Sequence, residues 1–523
     1  MNGRIVFAVG MLMAVYTAHA LSTQVEIDSG VIRGVESGGV AAFKGVPYAG
    51  PPTGENRWRA PQPVEHWSGV RDCTEYGPSV PQPGYPEGSF YQRPAEPQDE
   101  AGCLNLNVWT AAGDASERRA VMVWIHGGAL TRGSGRIDTY DGTNLARKGV
   151  VLVTINYRLG PLGFLAHPEL TAESGHNASG AYGVLDQIAA LEWVKRNITK
   201  FGGDPSRVTI FGESAGSWSV CALQATPLAK GLFHRAIGES GGVFSPQGYL
   251  KETRYGQKSG EDNGLAFAEA LGAETLDDLR SVPVDQIIAK SENGYQWRPT
   301  VDGYVFPKEV YEIFANGEQN NVPVIVGSNA DEGTSLLGDR HPKTVSAYES
   351  LAKQQFGDLA ELALETYPAK SDDEVRGAYM ALFRDQAFTW NMRTWARLMD
   401  TVPAPAYQYF FSHVPPRADR EKWGAYHAAE IAYAFDNLEH TNLESTDVDR
   451  KLADQISDYW VNFANTGNPN GEGLPEWPEF KVESESFMEF GDQPRVGAHL
   501  LQRECDFFDI RFSAQRKSGG DTD

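Results

Sequence analysis

A serine between two glycines, placed directly after a short apolar run, constrains this chain more than any other feature. Val208-Thr-Ile-Phe211 reads as a buried strand, and Gly212-Glu213-Ser214-Ala215-Gly216 follows it at once. Ser217 to Leu223 can continue as a helix. A strand that becomes a helix within five residues needs a sharp, strained corner, and glycines leave room where side chains would strike the neighbouring strand or helix. The helix N-terminus lends positive potential to whatever sits at that corner. Ser214 is therefore the candidate nucleophile, with Glu213 beside it inside the corner.

The rest of the chain fits such a corner. Val121 to Ile125 and Val150 to Asn156 are short apolar runs that read as buried strands of a parallel sheet. Val184, Ile188, Leu191 and Val194 fall at helical spacing. Gly202-Gly203-Asp204-Pro205 ends that helix. Val322 to Gly327 and Ala406 to Phe411 add strands. Val448 to Asn465 carries an apolar helical face through Leu452, Ile456, Tyr459, Trp460 and Phe463. Strands alternating with helices predict an α/β fold with a mostly parallel sheet. No repeat or low-complexity linker divides the chain, so residues 21–512 are expected to form a single domain. Residues 513–523 are polar and are expected to form a frayed tail.

The first twenty residues stand apart. Arg4 is the only charged side chain before Glu26, Ile5 to Val15 is apolar, and Ala18-His19-Ala20 is a small-x-small cleavage signal. Residues 1–20 read as a secretory signal peptide, too short in their apolar run to span a membrane. The 523 residues carry 46 Lys and Arg against 69 Asp and Glu, a formal charge of −23, or −24 once Arg4 is removed. That balance argues against nucleic acid and anionic membranes as partners. None of the four cysteines lies in a CxxC pair, which leaves zinc and thioredoxin-type chemistry unsupported.

A second glycine-rich signal lies upstream. His126-Gly127-Gly128-Ala129 closes the strand Val121 to Ile125. Segments of this kind supply backbone amides to an oxygen that gains negative charge in a tetrahedral intermediate.

With these blocks in hand, the chain resembles the type-B carboxylesterases. They are the branch of the α/β-hydrolase fold that also holds cholinesterases and some lipases. The resemblance covers nearly all of the chain. Pro51 to Pro61, Cys103-Leu-Asn-Leu-Asn-Val-Trp109, Asn156-Tyr-Arg158-Leu-Gly160, Phe201 to Pro205, Gly212 to Gly216 and Trp460 through Asn470 match the family's ordered blocks. It implies a mostly parallel central sheet flanked by helices, with large loop and helical insertions over the active site.

The resemblance also implies a triad in the chain order Ser, acid, His. Of the histidines after the acid, only His427 sits in a family-like block, Gly424-Ala-Tyr-His427-Ala-Ala-Glu430. Glu332, in Asn329-Ala-Asp331-Glu332-Gly333, is the expected acid, with Asp331 as the alternative. The oxyanion amides would be those of Gly128, Ala129 and Ala215. Ala129 stands where cholinesterases carry a third glycine, similar to esterases that accept bulky tertiary-alcohol esters. Ser240 matches a family serine near the acid. Glu213 matches a buried family acid, either a hydrogen-bonded support or a participant in the chemistry.

Three further expectations come with the family. Cys73 and Cys103 would form a disulfide around the loop Gly77 to Glu100. Arg57 normally pairs with an acid at the position held here by Ala101, so either neighbouring Glu100 substitutes or the pair is missing. The loop carries Phe90 and Tyr91 but no tryptophan, so a choline substrate is not supported. The expected partner is a small-molecule ester, with no cofactor, no metal, no nucleic acid and no stable membrane insertion; the sequence leaves the oligomeric state open. His427 and Glu430 make an H-x-x-E spacing without a third ligand. Rival readings are a lipase, a specialised esterase of the fumonisin type, and a non-catalytic binding homologue. Asn177 and Asn197 head glycosylation sequons.

Overall fold

The computed structural model describes residues 22–519 apart from Asn293. The expected signal peptide, 1–20, lies outside them.

Fourteen strands are formed among the described residues. They are β1 Gln24–Ile27, β2 Gly30–Arg33, β3 Val35–Ser37, β4 Val40–Pro47, β5 Val70–Asp72, β6 Asn105–Thr110 and β7 Arg119–Ile125. They continue as β8 Val151–Ile155, β9 Gly203–Glu213, β10 Arg235–Glu239, β11 Val324–Asn329, β12 Ala406–Phe411, β13 Ser486–Phe490 and β14 Pro494–Ala498. Eleven of them make one sheet in the order β14-β13-β12-β11-β10-β9-β7-β8-β6-β4-β3, while β1, β2 and β5 make a small separate sheet. From β8 through β13 every pairing in the large sheet is parallel. The interior strands β6 and β8 are buried along their whole length, as in a sheet covered on both faces.

The expected strands all form, with shifts of one or two residues at the ends of β7, β8 and β11 and a larger difference at β9. β9 begins at Gly203, five residues before the apolar run, because Gly203 pairs with Arg119 across a register shift. The helix Tyr182–Asn197 passes into a 3-10 turn that ends on Gly202, at φ 77°. The helix Asp447–Thr466 starts with a capping box between Thr446 and Asp449, a device that contributes about 1 kcal/mol. It buries Leu452, Ile456, Tyr459, Trp460 and Phe463 against the sheet. Of the residues expected to fray, 513–519 extend a helix, Gln502–Gly519, and 520–523 lie outside the described residues. Phe507, Phe508 and Phe512 anchor its apolar face, Arg516 lies over the Tyr311 ring at 3.8 Å, and Arg254 Nε donates to the Gly519 carbonyl at 3.1 Å.

The disulfide expected between Cys73 and Cys103 is not formed: all four cysteines are buried free thiols. Cys103 Sγ is turned to the Glu100 carbonyl at 3.2 Å, and burial pushes the Cys73 thiol up to about 11. The loop is closed by other means. Arg57 grips Glu100 through Nε and Nη2 at 2.7 and 2.6 Å, so Glu100 does substitute for the acid missing at Ala101. Arg57 Nη1 also donates to the Arg280 and Val282 carbonyls. Of the two sequon asparagines, Asn197 is buried with its side-chain oxygen accepting the Asp28 amide, which hides it from a modifying enzyme.

Candidate active site

Four neighbouring strands deliver the candidate residues at their carboxyl ends, where ligands bind in open α/β sheets. β7 leads into His126-Gly127-Gly128-Ala129, β9 into Ser214, β10 into Ser240 and β11 into Glu332. Ser214 sits at φ 56°, ψ −121°, between the end of β9 and the helix Ala215–Ala225. Such backbone costs on the order of 1–3 kcal/mol and persists only where its surroundings enforce it. Here the Ser214 amide donates to the Glu239 carbonyl at 2.8 Å, and its own carbonyl accepts from Trp218 at 2.9 Å. The flanking glycines are required by close approach: a Cβ on Gly212 would lie 2.5 Å from the Ile125 carbonyl oxygen, and one on Gly216 would collide with the same oxygen.

His427 is buried, with Nδ1 2.6 Å from Glu332 Oε2 and Nε2 2.9 Å from Glu213 Oε1. The other Glu332 oxygen accepts the Asn329 amide at 2.8 Å, which fixes the carboxylate's direction. Asp331, the alternative acid, faces elsewhere. Its Oδ2 accepts the Ala425 amide at 2.9 Å, and its own amide donates to the Ala425 carbonyl, so it clamps the loop that carries His427. His413 is spent on Asp449 and Asp492, each at 2.8 Å.

The glycine-rich turn lies against the corner. A Cβ on Gly127 would stand 2.8 Å from the Glu213 carbonyl oxygen and 3.1 Å from Ser214 Cβ. Gly128, Ala129 and Leu130 all have positive φ, at 110°, 56° and 61°. Among the described residues, the Gly128 and Ala129 amides donate to no protein acceptor. Ala215 is the first residue of its helix, where the amide has no intrahelical acceptor. Ser240 lies below the corner with φ 55°, its amide on the Gly327 carbonyl and its buried hydroxyl unpaired.

Electrostatically the site is crowded with acids. Burial works to lower His427, but the charges of Glu213 and Glu332 outweigh it and hold the imidazole well above its usual range. Burial also pushes Glu213 up, and the His427 charge only partly offsets this. Glu239 is driven up to about 8 by burial and the nearby Glu213 charge, against a hydrogen bond from Trp460 Nε1 at 2.7 Å. Burial and the charges of Glu213, Glu239 and Glu332 push Glu430 well above the carboxylate range. One oxygen each of Glu239 and Glu430 makes no hydrogen bond. Among the described residues, no group of three His, Cys, Asp or Glu side chains is placed to hold a metal ion.

Sequence reasoning did not foresee Glu239, Phe388 or the contact made by Tyr91. The Tyr91 hydroxyl donates to the His427 carbonyl at 3.0 Å and meets Ser335 Oγ at 2.7 Å, while Phe90 packs on Trp423 and Tyr426. The loop is thus a wall of the site. Glu239 was within reach, since it immediately precedes the Ser240 already singled out. For Phe388 no local signal exists.

The fold and the corner define an α/β hydrolase. Residues 21–508 match the model of the carboxylesterase family. The chain is 39% identical over 483 residues to the fumonisin B1 esterase of Sphingopyxis macrogoltabida, covering 90% of this chain and 87% of that one. It is 36% identical to the para-nitrobenzyl esterase of Bacillus subtilis (strain 168), covering 87% and 92%. A solved structure of a PNB esterase superposes with a TM-score of 0.79 at 34% identity, over 93% of this chain and 99% of that one. The chain belongs to the carboxylesterase family, and it is a carboxylic ester hydrolase.

Proposed function

We propose that the protein is a secreted serine carboxylesterase that acts on small-molecule esters through an acyl-enzyme. Ser214 Oγ attacks the ester carbonyl carbon while His427 Nε2, turned from its 2.9 Å contact with Glu213 Oε1, takes the hydroxyl proton. Glu332 holds the Nδ1–H side of the ring and stabilises the imidazolium without taking its proton. The amides of Gly128, Ala129 and Ala215 receive the negative charge that develops on the carbonyl oxygen, each worth about 2.7–4 kcal/mol in the transition state. Collapse of the intermediate breaks the bond to the alcohol, which leaves with the proton from His427. Water, deprotonated by His427, then releases the acid and restores Ser214. Export rests on the signal-like segment 1–20.

The observation that carries this reading is the 2.6 Å contact between His427 Nδ1 and Glu332 Oε2, on the strand ends adjoining a serine held at a strained corner. The test is hydrolysis of p-nitrophenyl acetate with and without an organophosphate. Turnover that the organophosphate abolishes is expected. No turnover of any short-acyl ester would favour a non-catalytic binding role. Recovery of the exported native protein with Met1 intact would refute the signal peptide.

A second reading is favoured by the 39% identity to a fumonisin B1 esterase. On that reading the natural substrate is a metabolite or toxin ester of that kind. Adding fumonisin B1 to the ester panel decides it: a kcat/KM orders of magnitude above that for simple esters identifies a specialist.

A further inference from the structure

The helix Asp372–Arg384 does not end at Arg384. A π-turn, Asp385–Thr389, carries it into the helix Trp390–Leu398. Such turns hold one extra residue, are rare, and occur frequently at functional sites. This one is fastened to the turn that presents Glu332. Arg384 Nη1 donates to the Ala330 carbonyl at 3.2 Å while its other nitrogens grip Asp385 at 2.7 and 2.9 Å. At the far end Ser328 Oγ donates to Thr389 Oγ1 at 3.2 Å. Ser328 and Ala330 bracket the residue whose amide holds Glu332. Between these two fastenings, Phe388 lays its ring 4.7 Å from the His427 ring at a tilt of 32°, and it is only 9% exposed.

We propose that Phe388 is a positioning residue for His427. The extra residue of the π-turn puts its ring on the imidazole face, keeps water from the Glu332–His427 pair, and favours the imidazolium that forms in the reaction. Glu332 holds the ring at Nδ1, and Phe388 fixes its plane. An aromatic face within about 6 Å of a cation attracts it, and excluding water strengthens the field of both carboxylates. The inference rests on His427 being the base of the proposed esterase.

The titratable groups around His427 are Glu332 after β11, Glu213 at the end of β9, Glu239 at the end of β10, Glu430 on its own loop, and Tyr91 and Tyr409. Arg384 and Asp385, at the foot of the π-turn, pair with each other. With the ring removed, water weakens the carboxylate fields and the aromatic attraction is lost. The imidazole then falls toward its ordinary value.

The experiment compares Phe388→Leu and Phe388→Tyr with the unsubstituted enzyme on p-nitrophenyl acetate across pH. Phe388→Leu is expected to lower kcat about tenfold with KM little changed. The acid limb of kcat/KM should move toward pH 6.5, and Phe388→Tyr, which keeps the ring, should restore both. A rise in KM with the acid limb unmoved would reduce Phe388 to a pocket wall and overturn the proposal, as would no change at all. Should Phe388→Leu not fold, Phe388→Met is read in its place. No turnover by the unsubstituted enzyme would instead refute the proposed esterase mechanism itself.

Discussion

Arg158 and Asp186 form a pair of one cation and one anion, both almost sealed from solvent. Asp186 uses both oxygens on it: Oδ2 takes Arg158 Nε and the Arg158 amide, and Oδ1 takes Nη2. Only Arg158 Nη1 is left over, with the guanidinium 5.4 Å from the Tyr182 ring centroid. A few strands away, four buried carboxyls, Glu213, Glu239, Glu332 and Glu430, cluster beside one imidazole, and Glu239 and Glu430 each carry an unpaired oxygen. The first cluster balances its charge and fixes geometry. In the second, the charges of Glu213 and Glu332 raise His427. Unpaired buried polar atoms are costly, so the excess acid in the second cluster is a functional cost and not a source of stability.

If this contrast holds, substitutions in the two clusters fail in different ways. The largest effect is expected at Glu332→Gln, which removes the charge that orients His427. The resulting kcat for a simple ester should fall on the order of 10⁴-fold, the loss typical of this position in a triad. Asp331→Asn should keep kcat within a few fold, because Asp331 holds the loop and not the ring. Equal losses in both would erase the assignment. Next in size, Asp186→Asn leaves a buried guanidinium unpaired and should cost about 3–5 kcal/mol of stability. This should appear as a lower denaturation midpoint in urea, with kcat per folded molecule unchanged.

Smaller effects belong to the acids behind the ring. Glu213→Gln removes one of the two charges that raise His427. The acid limb of the pH–rate profile should therefore move down toward pH 6.5, by about a unit or less for a single charge lost. Glu239→Gln is the mildest. Its folded-state value of about 8 exceeds the ordinary glutamic acid value of 4.5, so the folded state binds a proton that the unfolded state has lost between those limits. Stability from this group is full below about 4.5 and is lost as pH rises toward 8. Glu239→Gln should flatten that decline in melting temperature, and should change little at acid pH.

How far the sequence spoke depended on the distance over which each feature is built. The corner at Ser214 was legible because strand, glycines and helix are contiguous. The glycine-rich turn was legible for the same reason. Glu332 and Asp331 were adjacent candidates, and the His427 contact of the one and the Ala425 amide on the other separate them. Glu239 reaches the acid cluster through strand order, which no local spacing encodes, whereas Glu430 was visible three residues after His427. The π-turn inserts one residue into a helical pattern whose apolar periodicity barely registers it. The unformed Cys73–Cys103 bridge shows the converse: the family pattern suggested a pairing, while Arg57 and Glu100 tie down that loop here. The C-terminal helix past Phe512 was missed because its partners, Tyr311 and Arg254, come from distant segments.

The central claim is that Ser214 is the nucleophile. Mass spectrometry of peptides from protein inactivated with an organophosphate tests it directly. The account predicts one adduct per chain, on Ser214, forming as ester hydrolysis is lost, and no adduct when Glu332→Gln has disabled the base. An adduct on another residue, or full inactivation with Ser214 unmodified, would contradict it.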